Sequence, residues 1–186
     1  LTAHRCLFAD GPLDGRRVLV AGGAGAVGHA AIELARWAGA EVVTTVSSEE
    51  KAKLARAADV IVNYREPGAA EKIGKVDRIV EVALGPNLEL DLAVANPNAV
   101  IVTYAADQAT AEVPIRRLMT PNLTLRFVLV YTIPEPALRA AVEGVSRAVA
   151  DGALTTLPIH RFPLAETAAA HDAVEAGAVG KVVVTL

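Results

Sequence analysis

Short runs of β-branched residues alternate along the chain with longer runs rich in alanine and leucine. Continuous apolar runs such as 18–21 and 100–102 are typical of parallel strands covered on both faces. In residues 26–38 the apolar positions recur every three or four residues, which indicates an amphipathic helix. The pattern predicts strands at residues 16–21, 41–46, 60–63, 78–82, 99–104 and 123–130. It predicts helices at residues 25–38, 88–95, 115–119 and 134–150.

This alternation implies a doubly wound parallel sheet with helices on both faces. After Gly152 the rhythm changes, because residues 157–163 contain two prolines and predict an edge strand or an extended link. A helix at 165–176 and a strand at 181–186 follow. We therefore predict an α/β fold with a six-stranded parallel Rossmann sheet in residues 1–152. Residues 153–186 would form a carboxyl-terminal strand–helix–strand appendage, called the tail below.

Composition excludes several classes of protein. The chain has 186 residues, of which 53% are hydrophobic and 21% charged, and this profile is globular. A net charge of -3 favours neither nucleic acid nor a membrane surface as a partner. Cys6 is the one cysteine, and the four histidines show no short metal-binding spacing. No apolar run is long enough to span a membrane, so we expect a cytoplasmic protein with no metal and no membrane partner.

The first strand is followed by a glycine pattern that predicts a dinucleotide site. Gly23, Gly25 and Gly28 match G-x-G-x-x-G between a strand and a helix, which is the context the motif requires. Gly23 would permit the tight turn, Gly25 the close approach of a pyrophosphate, and Gly28 the packing of helix against strand. A turn without a ligand is the alternative. The predicted cofactor-binding residues here are Gly23, Ala24, Gly25, Ala26, Val27 and Gly28.

The end of the second strand favours NADP(H) over NAD. An NAD site usually carries an acidic residue there to bind the ribose hydroxyls, but the acid of this strand, Glu41, lies at its amino end. Ser47 and Ser48 leave space for a 2′-phosphate, and Lys51 supplies a positive charge. Helix capping by the serines and a solvated surface lysine are the alternative explanations.

These motifs resemble the medium-chain dehydrogenase/reductase superfamily, and most closely its NADPH:quinone oxidoreductase branch, the zeta-crystallin-like proteins. The resemblance is carried by residues 20–28, 45–51, 62–66 and 180–184. It extends over nearly all of the chain but covers only the carboxyl-terminal part of a family member. The resemblance implies an amino-terminal GroES-like domain that shapes the substrate cleft and that the tail would contact.

The resemblance also implies further cofactor contacts. Tyr64 would lie near the adenine or its ribose phosphate, and the ends of the fourth, fifth and sixth strands would flank the ribose and nicotinamide. These additional residues are Val82, Ala83, Thr103, Tyr104, Ala105, Phe127, Val128 and Leu129. Family members usually have a glycine at the end of the fifth strand, so Tyr104 and Ala105 are a departure that could crowd the cofactor.

By resemblance, the full enzyme would pass hydride from NADPH to a small-molecule quinone or enone without zinc. The catalytic residues remain unknown at this stage. Two alternatives stay open: an enoyl reductase or alcohol dehydrogenase of the same superfamily, and a cofactor-binding module without turnover. Family members often dimerise through an edge strand, and the apolar sixth strand at residues 127–130 is the candidate for a homodimer contact.

Overall fold

A computed structural model describes residues 1–106 and 108–186. Six parallel strands form one sheet in the order β3-β2-β1-β4-β5-β6, and two further parallel strands, β7 and β8, form a small separate sheet. The strand order reverses between β1 and β4, where doubly wound sheets bind ligands. The strands are β1 (Arg17–Val20), β2 (Glu41–Val46), β3 (Val60–Asn63), β4 (Val76–Glu81), β5 (Ala95–Thr103), β6 (Thr124–Phe127), β7 (Ile159–Pro163) and β8 (Lys181–Thr185).

Helices connect successive strands and cover the two faces of the sheet. They are α1 (Thr2–Phe8), α2 (Ala26–Trp37), α3 (Glu49–Ala52), α4 (Ala69–Ile73), α5 (Leu84–Val94), α6 (Ile115–Met119), α7 (Glu135–Ala150) and α8 (Thr167–Glu175). No helix in the described residues is long and apolar enough to cross a membrane. The predicted α/β fold with a six-stranded parallel sheet and a strand–helix–strand tail is confirmed.

The sheet is buried by two apolar clusters, one on each face. Val18, Val20 and Val42 belong to one cluster, together with the apolar side of α2. Leu19, Val43 and Ile79 belong to the other, together with residues of α4 and α5. Neighbouring residues of one strand point to opposite faces, so a strand covered on both sides needs a continuous apolar run. This is why the parallel strands could be predicted from continuous apolar runs in the sequence.

The sixth strand is shorter than predicted. It ends at Phe127 rather than at Val130, and residues 130–132 form a 3₁₀ turn. Its partner β5 ends at Thr103, which pairs with Phe127, and one further hydrogen bond joins the Val128 amide to the Thr103 carbonyl. Beyond that point β6 has no strand to pair with. The apolar run therefore overestimated the length of the strand.

Helix α5 begins earlier than predicted, at Leu84 instead of Leu88. The reason lies in the preceding strand, because the carboxylate of Glu81 accepts a hydrogen bond from the backbone amide of Ala83 at 2.5 Å. A negative charge at the start of a helix stabilises it through the unpaired amides of the first turn. This side chain is fully buried, and the sequence contains no capping residue of the usual type at Ala83.

The tail is fastened to the main sheet through α2. Glu33, which is buried, accepts hydrogen bonds from both the backbone amide and the hydroxyl of Thr155. The His29 ring also contacts the Thr155 hydroxyl at 3.0 Å and the Leu54 carbonyl at 3.1 Å. These contacts fix the start of the tail on the helix that follows the glycine turn.

Candidate functional site

A cavity of about 500 Å³ lies at the carboxyl ends of the strands, beside the point where the strand order reverses. This volume is in the range of small-molecule and cofactor sites. Its walls come from the glycine turn, from the ends of β2, β3 and β4, from the start of α5 and from the tail. The lining residues are Gly22, Ala24, Gly25, Thr45, Val46, Ser47, Lys51, Leu54, Tyr64, Val82, Ala83, Pro86, Asn87, Gly177, Ala178, Val179 and Gly180.

The glycine turn has the form that the motif predicts, except that Gly22 and not Gly23 adopts the left-handed conformation. A Cβ on Gly28 would lie 2.4 Å from the Gly22 carbonyl oxygen, so Gly28 lets α2 pack closely against the turn that follows β1 rather than against the strand itself. The tight turn takes its left-handed residue from Gly22, with φ 68°, and not from Gly23. Gly23 is constrained by packing instead, because a Cβ there would lie 2.1 Å from the Thr44 hydroxyl.

Gly25 has a different environment, because it faces the cavity. The nearest atom to a Cβ placed on it is the Gly22 carbonyl oxygen at 3.4 Å, which is an ordinary contact distance. Gly25 is also the residue that precedes α2, whose first amides have no partner within the helix. An anion that approached Gly25 would therefore meet the positive end of α2.

One wall of the cavity carries a basic side chain and is open to solvent. We call Ser47, Lys51 and Tyr64 the basic wall; they follow β2 and β3, which are neighbours in the sheet. Tyr64 is 44% exposed, and the guanidinium of Arg65 lies 5.9 Å from the centre of its ring. Lys51 and Tyr64 line the same cavity, although they follow different strands.

Ser48 has the capping role that was the alternative explanation. Its hydroxyl accepts a hydrogen bond from the Lys51 amide at 3.3 Å and so begins α3. Glu49 and Glu50 are exposed and do not line the cavity. Glu41 lies at the opposite end of β2, where it forms an ion pair with Arg17 at 2.9 Å. None of these three glutamate side chains therefore lies on the basic wall.

The opposite wall is supported by buried carboxyl groups. We call Glu81, Asn87 and Asp91 the carboxyl wall. Glu81 Oε1 accepts a hydrogen bond from the Asn87 side-chain amide at 2.9 Å, and Asn87 lines the cavity next to Val82 and Ala83. Glu81 and Asp91 are 0% and 1% exposed. Burial, followed by the neighbouring charge of Glu81, raises the pKa of Asp91 to about 9.

Three other predicted residues line a second, smaller cavity. Thr103, Ala105 and Phe127 border a space of about 160 Å³ together with the start of α5. Phe127 is 71% exposed, and the Thr103 hydroxyl donates a hydrogen bond to the Ala105 carbonyl at 3.1 Å. The structure thus separates the predicted contacts at the ends of β5 and β6 from those of the main cavity.

The remaining predicted residues line neither cavity. Tyr104 packs against the core, and burial raises the pKa of its phenol, so it does not crowd the main cavity as its bulk suggested. Val128 is buried in the core, and Leu129 is exposed beyond β6. Gly23, Ala26, Val27, Gly28 and Ser48 form the turn, the start of α2 and the cap of α3.

Besides Gly22, Thr45, Val46 and Leu54, which lie near predicted contacts, two groups of lining residues were not predicted. Asn87 and Pro86 were placed before the predicted start of α5, in a segment to which no role was given. Residues 177–180 form the tail side of the cavity, and of these only Gly180 was noted, as part of a resemblance. Two sequence signals could have pointed to them: an amide side chain soon after a strand end, and two glycines just before a strand.

No group of three or more histidine, cysteine, aspartate or glutamate residues in the described ranges is arranged to hold a metal ion. Cys6 is buried, and burial raises the pKa of its thiol to about 12.

Comparison with known proteins places the chain in a family. The sequence profile described as "Zinc-binding dehydrogenase" matches residues 26–147. The chain belongs to this family. It corresponds to the carboxyl-terminal cofactor-binding part of the medium-chain dehydrogenase/reductase superfamily. Over its whole length the chain is 28% identical to a quinone oxidoreductase of Pongo abelii and covers 59% of that protein.

Solved structures share the fold. The CurK enoyl reductase is 27% identical, with a TM-score of 0.83; the alignment covers 99% of this chain and 59% of that one. CurA from Vibrio vulnificus, solved in complex with NADPH, has a TM-score of 0.84 at 19% identity, and here 99% and 61% are covered. At that identity, the likeness to CurA concerns the fold alone.

Proposed function

We propose that the chain is the NADP(H)-binding part of a zinc-independent oxidoreductase that transfers hydride from NADPH to a quinone or an activated alkene. The observation that carries the proposal is the main cavity, which joins the glycine turn, the basic wall and the carboxyl wall at the carboxyl ends of the strands. The quinone oxidoreductase relative supports the substrate class. We also propose a cytoplasmic location.

The residues present fit the cofactor. Gly25 leaves space for a pyrophosphate beside the amides at the start of α2. The ammonium group of Lys51 and the Ser47 hydroxyl would hold a 2′-phosphate, and Tyr64 would cover the adenosine. Val82, Ala83 and the second cavity, which includes Thr103, Ala105 and Phe127, would receive the ribose and nicotinamide. When bound, the cofactor supplies the hydride, and the protein orients it and excludes water.

Calorimetric titration of the 186-residue chain tests cofactor choice. NADPH is expected to bind at least about tenfold more tightly than NADH, since a hydrogen bond to a charged group contributes roughly 1.5–3 kcal/mol. Equal affinities for the two dinucleotides would contradict the assignment of Ser47 and Lys51. No binding of either would contradict the cofactor site as a whole.

We propose further that residues 1–152 form the cofactor domain and that residues 153–186 pack against a GroES-like substrate domain of the full protein. Several apolar side chains of the tail are exposed, as expected for a surface that meets a partner. They are Ile159, Leu164, Val174, Val184 and Leu186. The isolated chain would then bind NADPH without reducing quinones, and rapid quinone turnover by residues 1–186 would oppose this division.

The likeness to the CurK enoyl reductase supports a second candidate, an enoyl reductase. An alcohol dehydrogenase relative and a binding module without turnover are the remaining alternatives. Assays of the full protein with a quinone, an enoyl thioester and an alcohol separate these reactions. Insensitivity of the preferred reaction to a zinc chelator is expected from the proposal, and loss of activity would contradict zinc independence.

A homodimer is also proposed. Strand β6 is an edge of the sheet, and the exposed Phe127, Leu129 and Tyr131 lie at its end and just beyond it. An unprotected edge strand can pair with a second copy of itself. Sedimentation equilibrium is expected to show a dimer that Tyr131→Glu weakens, whereas a monomer at all concentrations would contradict the proposal.

A further inference from the structure

The carboxyl wall contains two buried oxygen atoms without a partner. Glu81 Oε2 and Asp91 Oδ2 are both inaccessible to solvent, and neither has a hydrogen-bond partner among the described residues. A buried carboxylate oxygen without a donor is costly, because the charge has lost its hydration. Two facing carboxyl groups remove this cost if one of them keeps its proton and donates it to the other.

The position of the pair links it to the cavity. Glu81 ends β4, and Asp91 lies on α5 one turn after Asn87, whose side-chain amide donates a hydrogen bond to Glu81. The other oxygen of Glu81 accepts hydrogen bonds from the Ala83 amide and from Asn87 Nδ2. A carboxylate can only accept, so the nitrogen of the Asn87 amide must face Glu81, and its oxygen is left for other partners.

We propose that Glu81 and Asp91 share a single proton, and that this pair acts as a positioning device that holds the Asn87 side chain as a hydrogen-bonding contact for the dinucleotide. Asn87 is the binding residue, and its amide oxygen would accept a hydrogen bond from a hydroxyl group of the ligand. Glu81 and Asp91 act through Asn87 and do not touch the ligand themselves. This inference rests on the proposed dinucleotide site and adds a specific contact to it.

The surroundings of the pair are consistent with one proton. Asp91 is affected by burial and by Glu81, and its pKa of about 9 keeps it protonated at neutral pH. Tyr104, after β5, packs against the core cluster that contains Cys6 of α1, and burial, followed by the nearby Cys6 and Glu81, raises the pKa of its phenol. Both groups stay neutral at pH 7, since burial raises the pKa of each. No cation among the described residues contributes to the shift at Asp91.

Asp91→Asn is the informative substitution, because an amide has the shape of a protonated carboxyl group and can donate to Glu81. The variant is expected to bind NADPH within about twofold of the unchanged chain. Asn87→Ala is expected to lower NADPH affinity about five- to tenfold, the effect of losing one hydrogen bond to a neutral group. Glu81→Met is expected to lower it by a similar factor, since no acceptor remains at position 81 to hold the Asn87 amide. Glu89→Gln, on the exposed side of the same helix, is the matched control.

Infrared spectroscopy of the chain tests the shared proton without any ligand. The C=O stretch of a protonated carboxyl group is expected at neutral pH in the unchanged chain and in Glu89→Gln, and it should be absent in Asp91→Asn. Absence of this band from the unchanged chain would overturn the shared proton. This measurement remains decisive if Glu81→Met fails to fold.

The two levels of the proposal fail in different ways. If the unchanged chain binds no NADPH, then the proposed function fails and the role of Asn87 with it, while the infrared band still decides the shared proton. If NADPH binds and Asn87→Ala binds it equally well, the cofactor site stands and the positioning role is overturned. If Asp91→Asn loses affinity as strongly as Asn87→Ala, then a neutral donor at position 91 is not sufficient and the shared-proton mechanism is overturned.

Discussion

The two walls of the main cavity differ in solvent exposure and in how their polar groups are held. The basic wall is open to solvent and depends on a charged side chain, Lys51, on a four-residue helix. The carboxyl wall is closed, and its polar groups are fixed by one another between a central strand and a long helix. Solvent screens the first wall and leaves it adjustable, whereas burial makes the second rigid and sensitive to the loss of any member. In the proposed function, charge selectivity and ligand orientation would thus be placed on different walls.

The largest effect is expected at the turn that both walls share. Gly28→Ala would place a Cβ 2.4 Å from a backbone oxygen, which cannot move without opening the turn. We expect a loss of about 3 kcal/mol in the free energy of unfolding, measured by urea denaturation. Gly25→Ala is the control, since its Cβ would meet no atom closer than 3.4 Å. Equal stability of the two variants would show that the turn does not impose the close approach described.

The basic wall is tested by Lys51→Ala. We expect NADPH affinity to fall about 10- to 100-fold, because a charge-assisted contact is lost, with little change in NADH affinity. The difference should shrink as salt is added, since the wall is exposed to solvent. Lys53→Ala removes a nearby charge that does not line the cavity and serves as the control. A parallel loss for both dinucleotides would place Lys51 away from the 2′-phosphate.

The carboxyl wall predicts a dependence of stability on pH. The pKa of Asp91 is about 9 in the folded chain and about 4 when unfolded. Between these values the folded state holds a proton that the unfolded state has released, so the free energy of unfolding falls as pH rises. Asp91→Asn has no ionisable group at this position, so its free energy of unfolding lacks this dependence on pH. Its free energy of unfolding relative to that of the unchanged chain, measured by urea denaturation, should therefore rise by roughly 2–3 kcal/mol between about pH 6 and about pH 8. A constant offset would mean that Asp91 is ionised in the fold.

The smallest effect is expected at Tyr64. The side chain is 44% exposed, so Tyr64→Phe should change the free energy of unfolding by less than about 0.5 kcal/mol. Its NADPH affinity should change by no more than about twofold if the ring, and not the hydroxyl, meets the ligand. A larger loss of affinity in the same calorimetric titration would show that the Tyr64 hydroxyl forms a hydrogen bond to the ligand.

Local patterns in the sequence predicted the sheet well, because strands buried on both faces must be continuously apolar. The predictions for β2, β3 and α6 agree with the structure to the residue. The predicted end of β6 was wrong, because the end of this strand depends on where its neighbour β5 stops, and an apolar run does not contain that information. The early start of α5 was missed for a similar reason, since its stabilising carboxylate comes from the strand before it.

The candidate site was predictable where a motif is contiguous and unpredictable where distant segments meet. The glycine turn, Ser47 and Lys51 lie close together in the sequence, and each has a recognisable chemical reason to be there. Residues 177–180 reach the same cavity after a long separation along the chain, so the two glycines before β8 could indicate a turn but not its position beside the cavity. The direction of Tyr104 was also beyond local reasoning, because packing against the core turns its ring away from the cavity.

The tail is tied to the body of the molecule at Thr155 and returns to the cavity at residues 177–180. A ligand in the cavity would therefore hold both ends of the intervening β7 and α8 against the large sheet. A ligand that binds only when the tail is in place stabilises that arrangement by mass action. Binding should therefore change the stability of parts of the tail that do not contact the ligand. Backbone amides of α8 and β8 are expected to exchange with deuterium more slowly when NADPH is present, although neither element carries a predicted contact to it.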